Sequence, residues 1–533
     1  MIIPSSSSAG NTISPAIPPP LPMILVVGLN PALQKQLILP DQGRLVPGNV
    51  HRAESVRLGV GGKGQDVAIA LQGLGVNYGS RCQLLQFIGQ GSTGDLMSQL
   101  LAAQLQEIAT TDGDATDDPT VAADDPTAAA LTVRVASAMR TCTTIVAAET
   151  ATEFVEPSGC VTEAEVNELL TNKLTPYLHD PTTPTITALC LMGSLPPMPA
   201  QIAYEVYARI YHKVVTATPS TICVVDSLVG IEPLLIYART MQTLYLERWS
   251  GSSGVGNKDP APCTGGAIVL KITAAELCQL VGTALQTTTT SSSSTDVTGI
   301  APSGGISMPS LAEAIVEFQM RYKISCFDPH PLIGLAITDG PHPAYFVAFE
   351  KDQHEAGINN GPRTEDEIDY DQLRFTMYKY SVPSLIGHGD TTTSSSTTTN
   401  TNSTDEEEKE HTKLVLYPIG AGDAVAGGTI AAWTSLTTAA AAATAAPSTS
   451  SSSILSDACF NLVQDFCHKQ QINPTRTHNH TANTILQQQQ QDALASFAFG
   501  LACGSASCLQ PENSVVKERD VLRLFPQIVI DKY

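Results

Sequence analysis

The chain has 533 residues, with 29 Lys+Arg against 51 Asp+Glu and a formal net charge of −22. A field of that sign repels nucleic acid and anionic membrane surfaces, and no Lys/Arg cluster offsets it locally, so neither is expected as a partner. Hydrophobic residues make up 42%, enough for a sizeable core even though much of the chain is low-complexity Ser, Thr, Ala and Gln.

Residues 1–22 carry no Lys or Arg and no apolar core. They read as a disordered tail, and match neither a secretory signal nor an Arg-rich transit peptide. The twelve cysteines are scattered without C-x-x-C or zinc spacing, which points to a reducing, cytoplasmic setting without disulfides.

From residue 23 onward, short uniformly apolar runs recur at 24–28, 84–88, 188–193, 222–226, 268–271 and 333–338. Uniform rather than alternating apolarity is the mark of parallel strands buried on both faces. Between them lie helical patterns such as 66–74, where Val67, Ala70, Leu71 and Leu74 follow the i, i+3, i+4, i+7 spacing. Strand–helix alternation predicts one large α/β domain on a mostly parallel sheet.

Two segments, 34–57 and 131–155, alternate more and carry more charge, and read as antiparallel ribbons outside that sheet. Low-complexity stretches near 110–130, 286–304, 389–410, 435–453 and 470–491 read as disordered surface inserts in a single domain spanning 23–533. The uncharged stretch 424–456 is rich in Ala, Thr, Ser and Gly and poor in Leu and Ile, so it is not expected to span a membrane.

Two glycine clusters carry chemistry. Gly420-Ala421-Gly422-Asp423 lets backbone N–H groups converge without Cβ obstruction, and a helix starting there makes an anion site. A carboxylate beside bound negative charge is costly unless it removes a proton, which suggests phosphoryl transfer to a hydroxyl with Asp423 as base. Taken alone, the tetrapeptide is better described as a turn with an Asp N-cap, and the rest of the chain reverses that preference.

Gly59-Val60-Gly61-Gly62-Lys63-Gly64 fits the dinucleotide fingerprint G-x-G-x-x-G, but no acidic residue follows between Asp66 and Asp95 to hold a ribose. It is not a Walker A loop either, since Gly64 follows Lys63. It reads as a glycine nest with one cation, able to hold a sugar or phosphate.

With Leu29-Asn-Pro-Ala-Leu33, Gly61-Gly-Lys-Gly64, Thr152-Glu-Phe-Val-Glu-Pro-Ser-Gly159, Gly193-Ser-Leu-Pro-Pro197, Val225-Asp-Ser227, Leu270-Lys-Ile-Thr-Ala-Ala-Glu276 and Gly420-Ala-Gly-Asp423 in this order, the chain resembles the ribokinase-like (PfkB-type) carbohydrate kinases. The subgroup it is most similar to contains 1-phosphofructokinase and tagatose-6-phosphate kinase. The resemblance implies a three-layer α/β/α sandwich with a small β lid built from about 30–60 and 131–156. It implies ATP and Mg²⁺, a sugar or sugar-phosphate acceptor, and leaves room for a homodimer through the lid.

By the same resemblance Asp423 is the base, and Gly420, Ala421 and Gly422 form the anion hole. Glu276 and Asp226 serve Mg²⁺, the former through water. Gly61, Gly62, Lys63, Asp66 and Gln34 line the acceptor site, and Arg140 and Arg52 fall where phosphate-binding cations lie. Lys271, Thr338, Gly340 and Gly504 lie along the nucleotide.

Three positions depart from the family pattern: Gln34 for the usual Asp, Asp66 for the Asn of G-G-K-G-x-N, and Thr273 for the Asn of N-x-x-E. Gln lacks the charge-assisted bond of Asp, and Asp66 adds negative charge beside an anionic acceptor. The activity expected is ATP-dependent phosphorylation of a sugar-phosphate hydroxyl. The alternatives are a kinase of an unphosphorylated sugar or nucleoside, and a regulatory protein on a retired kinase fold.

Overall fold

The predicted apolar runs form neighbouring strands of one sheet in the computed structural model, which describes residues 22–40, 45–107, 131–147, 151–250, 266–283, 306–324, 330–350, 374–383, 385, 416, 419–444, 453–470 and 482–533. In chain order the strands are β1 (Met23–Gly28), β2 (Ala32–Ile38), β3 (Ser55–Gly61), β4 (Cys82–Gln90), β5 (Leu131–Ala138), β6 (Thr141–Val146), β7 (Ala151–Val155), β8 (Ile186–Met192), β9 (Ile222–Asp226), β10 (Ile268–Thr273), β11 (Leu332–Thr338), β12 (Ala344–Phe349), β13 (Phe375–Ser381) and β14 (Val529–Lys532).

The main sheet has ten strands in the order β14-β13-β12-β11-β10-β9-β8-β1-β4-β5. Every pairing from β5 across to β11 is parallel, and β12 to β14 extend it antiparallel. Alternate residues of one strand face two cores. Ile24 and Val26 pack with Val67, Leu71, Trp433 and Phe497 on one side. Leu25 and Val27 pack with Leu189, Tyr207 and Phe318 on the other. Helices thus cover both faces, giving the three layers expected of a parallel sheet.

Successive strands run outward from β1 through β4 to β5 in one direction, and from β8 to β11 in the other. The carboxyl ends of β1 and β8 therefore flank a topological switch point, where open α/β sheets form their crevices. A second sheet, β3-β2-β6-β7, rises beside it as the lid.

Four expectations differ from what is observed. Leu131–Ala138 belongs to the main sheet as its edge strand, parallel to β4; one half-exposed face gives it the alternation of a ribbon. In the lid, β2 and β6 pair parallel rather than antiparallel. The low-complexity stretch near 435–453 begins as helix, since Ala421–Thr444 runs through it. The stretch near 470–491 ends as helix, since Ala482–Ser507 starts within it. Ala and Gln are good helix formers, and each tract adjoins a buried helix that extends into it. The tail and the inserts near 110–130, 286–304 and 389–410 lie outside the described residues, except Pro22 and the segment's own flanks.

Candidate active site

Helix Lys63–Gly73 begins where the lid strand β3 ends, and its first turn carries both Lys63 and Asp66. The helix start is pressed against β1: a Cβ on Gly64 would lie 2.3 Å from the Gly28 Cα. Two glycines thus let helix and strand touch backbone to backbone. That contact sets how far Lys63 projects toward the ends of β8 and β9.

Asp226 closes β9 and is 1% exposed. Its Oδ1 accepts from Lys63 Nζ at 2.5 Å and its Oδ2 from Lys271 Nζ at 2.5 Å. Lys271 is 3% exposed on β10, and the β9–β10 register pairs the preceding residues Val225 and Leu270. Gly193, just past β8, donates its N–H to the Asp226 carbonyl at 2.7 Å. Burial alone would raise the Asp226 carboxyl, but Lys271 and Lys63 outweigh it and hold it below the ordinary value. Burial would lower the Lys63 ammonium, yet Asp226, Asp423 and Glu276 together raise it.

Helix Ala421–Thr444 starts at the turn around Gly420, whose φ is +77°. The Gly420 carbonyl accepts from Asp423 N at 3.1 Å and Ala424 N at 2.9 Å. A Cβ on Gly422 would stand 3.1 Å from Lys271 Nζ, so the turn and the buried ammonium face each other. Ala421, Gly422 and Asp423 are half-buried. Burial and the charge of Asp226 push the Asp423 carboxyl up to about 7 against the opposing pull of Lys63 and Lys271. A carboxylate poised there exchanges protons near neutral pH, as a general base must.

Asp66 is 5% exposed, and its Oδ1 has no hydrogen-bond partner among the described residues. Burial, then the charges of Asp423 and of Glu153 on β7, push its carboxyl well above the usual range. Asp66, Asp423, Lys63, Lys271, Asp226 and Glu276 therefore share one electrostatic neighbourhood.

Other expected residues are present but differently employed. Glu276 accepts from Thr273 N through Oε2 at 2.7 Å, while Thr273 Oγ1 accepts from Glu276 N at 3.1 Å. Thr273 thus builds a capping box for helix Ala274–Val281. The other Glu276 oxygen lies 3.6 Å from Lys63 Nζ.

Gln34 is 3% exposed and donates to Thr144 Oγ1 at 2.6 Å inside the lid. Gly61 sits beside it, a Cβ there lying 3.0 Å from Gln34 Oε1. Gly62 precedes the helix with φ +114°. Arg140 donates through Nη2 to the Asn30 carbonyl at 2.8 Å and through Nε to the Pro31 carbonyl at 3.3 Å. Arg52 is exposed ahead of β3. Thr338 ends β11 opposite Thr273, and Gly340 follows in an open turn with φ +58°.

Gly504 is buried where helix Ala482–Ser507 crosses helix Ala421–Thr444: a Cβ there would lie 2.9 Å from the Ala421 carbonyl oxygen. Its observed contact is helix packing.

Sequence reasoning missed the Lys63–Asp226–Lys271 triad as a unit. It also missed Asn30, whose Nδ2 donates to Ser194 Oγ at 3.1 Å and whose Oδ1 accepts from Ser158 Oγ at 2.8 Å. Asn30 was visible in the Leu29–Leu33 motif, but its partners are more than 120 residues away.

Asp226 and Glu276 were expected to serve Mg²⁺. Both oxygens of Asp226 are taken by ammonium groups, and Glu276 is shared between a helix cap and Lys63. No group of three or more His, Cys, Asp or Glu able to hold a metal occurs among the described residues. In this geometry the carboxylates do not fit a directly coordinated cation.

No family model matches the chain. Over 70 residues it is 43% identical to a 1-phosphofructokinase of Xanthomonas campestris pv. campestris, covering 13% of this chain and 20% of that protein. The chain therefore matches about a fifth of the length of that curated relative. Among solved structures it is similar to phosphofructokinase-2 of Escherichia coli in a tetrameric inhibited form, with 15% identity, a TM-score of 0.47, and 95% of this chain and 98% of that chain covered. It is similar to a possible 1-phosphofructokinase of Thermotoga maritima, with 13% identity, a TM-score of 0.45, and 96% and 99% covered. It is also similar to a ribokinase of Giardia lamblia, with 12% identity, a TM-score of 0.45, and 94% and 99% covered. Phosphofructokinases and a ribokinase are thus what this chain is similar to.

Proposed function

We propose that the chain transfers the γ-phosphoryl group of ATP to a hydroxyl of a sugar phosphate, with Asp423 as general base. The observation that carries this reading is the Asp423 carboxyl, lifted to about 7 at the start of a helix whose glycine turn faces the buried Lys271 ammonium. Asp423 takes the proton of the acceptor hydroxyl as its oxygen bonds to the γ-phosphorus. The bond from that phosphorus to the β,γ-bridging oxygen then breaks and ADP leaves. The N–H groups of the Gly420–Gly422 turn and the Lys271 and Lys63 ammoniums stabilise charge on the transferring group. Asp226 holds both ammoniums in place. No step is assigned to a metal held by Asp226 or Glu276, because their oxygens are engaged as described.

A second reading, an unphosphorylated sugar or nucleoside as acceptor, is favoured by two observations. Arg140 already spends two donor groups on the Asn30 and Pro31 carbonyls, and Asp66 brings a buried carboxyl to the acceptor side. A panel of phosphorylated and unphosphorylated acceptors, assayed for ADP formation and for the phosphorylated product, separates the readings. On the sugar-phosphate reading Arg140→Ala raises the acceptor KM roughly ten- to a hundredfold, with ATP KM little changed, since bonds to charged groups contribute about 1.5–3 kcal/mol. Equal losses for both acceptor types favour the second reading. ATP turnover without transfer to any acceptor favours the regulatory one.

A homodimer through the lid belongs to the same proposal. Register places Leu58, Lys35, Thr143 and Phe154 on one face of that sheet, and Leu58 is 47% and Phe154 56% exposed. An apolar face of this kind supports self-association, which light scattering reads directly. Among the described residues no helix is long and apolar enough to cross a membrane.

A further inference from the structure

We propose that Asn513 and Ser514 are positioning residues that tie the phosphoryl-binding turn to the lid, with Gln36 as the lid's point of attachment. The inference rests on the kinase reading for the role of the turn.

Ser514 is fully buried, and its Oγ donates to the Gly420 carbonyl at 2.8 Å. That carbonyl also receives the Asp423 and Ala424 amides, so three donors converge on the atom that starts the helix. Gly420 leaves no room for anything else: a Cβ on it would lie 2.2 Å from Ser514 Oγ. Ser514 itself has φ +55°, one of two non-glycine residues with positive φ among the described residues. Such a backbone persists only where its surroundings enforce it, and it clusters at functional sites.

The enforcing contact comes from the lid. Gln36 on β2 is 6% exposed and Asn513 is 7% exposed, and Gln36 Nε2 donates to Asn513 Oδ1 at 3.0 Å. Gln36 Oε1 is buried without a partner among the described residues. Asn513 is thus the hydrogen-bond partner of an otherwise unsatisfied lid amide. The chain Gln36–Asn513–Ser514–Gly420 joins a lid strand to the anion-binding turn through residues adjacent in sequence or hydrogen-bonded. A lid that holds this bond holds the turn in the geometry that aims its amides. A lid that swings away releases Asn513 and slackens the turn, so transfer is favoured only with the lid seated over an acceptor.

Gln36→Ala and Asn513→Ala test this in the full chain. Each is expected to speed amide hydrogen exchange at 420–424 about tenfold, the scale of one lost buried hydrogen bond. Each should lower kcat about tenfold, with ATP KM within about twofold. The double variant should be no worse than the worse single, because both remove the same link. Asn513→Asp keeps an acceptor oxygen for Gln36 and should recover most of the activity. Ser514→Ala should match the singles; if it fails to fold, the lid variant Gln36→Ala carries the test alone.

Unchanged exchange at 420–424 in Gln36→Ala overturns the coupling. Faster exchange across the whole domain with a lowered Tm also overturns it, because that marks a merely structural bond. If the wild-type chain phosphorylates no acceptor on the panel, the kinase reading fails, while the exchange measurement still decides whether lid and turn are linked.

Discussion

At the carboxyl ends of β9 and β10, a buried carboxylate carries an ammonium on each oxygen. Toward the lid of the same cleft, the equally buried Asp66 has an oxygen with no partner among the described residues, and the like charge of Glu153 on the lid acts on it. A carboxylate bracketed by two cations fixes a geometry in advance. A carboxyl left unpartnered in a buried place awaits a donor that the protein does not supply. The region around Asp226 is internally satisfied, and the region around Asp66 is not.

The largest break in this contrast comes from Asp423, which stands between the two sides. Asp423→Asn is expected to lower kcat by roughly 10²–10⁴, the usual contribution of general-base catalysis. For the wild type, activity should rise with pH and level off above about 7, where the carboxylate forms. The same shift acts on stability. Asp423 holds its proton more tightly folded than unfolded, so stability is lost as pH rises from the ordinary value of 3.8 through about 7. The Asn variant should therefore melt higher than wild type at pH 8 and equal to it near pH 4. Single-turnover transfer and thermal melts at the two pH values check both parts.

Next in size is the difference between the two lysines on Asp226. The Lys271 side chain is 4% exposed and that of Lys63 is 35% exposed. Lys271→Met strips a buried carboxylate of its fully buried partner, a change that costs about 3–5 kcal/mol. Lys63→Met removes a cation that water already reaches and leaves Asp226 paired with Lys271, so it should destabilise much less, while still lowering turnover. Equal losses of stability in urea titrations would show that the two cations are not held differently.

The smallest expected effect sharpens the acceptor side. Asp66→Asn removes a carboxyl whose pKa is raised by burial and by Asp423, so the variant should gain stability as pH rises above the ordinary carboxylate range. It should also change acceptor KM more than ATP KM. A variant that melts lower than wild type at pH 8 would show that the Asp66 carboxylate is satisfied after all.

Much of this was legible in the sequence. Uniform apolar runs such as 222–226 gave buried parallel strands because a strand covered on both faces has no polar side to show. Gly420–Asp423 and Lys63 fell at helix starts because glycine-rich turns precede them. What escaped depends on distance in the chain. The use of Asp226 as an anchor for two lysines arises only when β9, β10 and the helix after β3 converge. The packing role of Gly504 was equally hidden, since helix Ala421–Thr444 comes to lie against it from more than sixty residues away in the chain. Leu131–Ala138 showed the alternation of a lid ribbon because an edge strand is covered unevenly. The Ala-rich and Gln-rich tracts looked disordered by composition, yet each prolongs a helix whose buried half lies outside the tract.

The contact between Gly28 and Gly64 bears on how such a protein can diverge. With each Cα standing where the other's side chain would have to grow, neither position admits any residue with a side chain unless the helix backs away from β1, carrying Lys63 out of reach of Asp226. Gln34 and Asp66 are held by side-chain surroundings rather than by a backbone-to-backbone contact: Gln34 donates to Thr144, and Asp66 keeps an oxygen without a partner among the described residues. Substitutions can accumulate there without moving the helix, while the placement of Lys63 against Asp226 stays locked by two missing methyl groups.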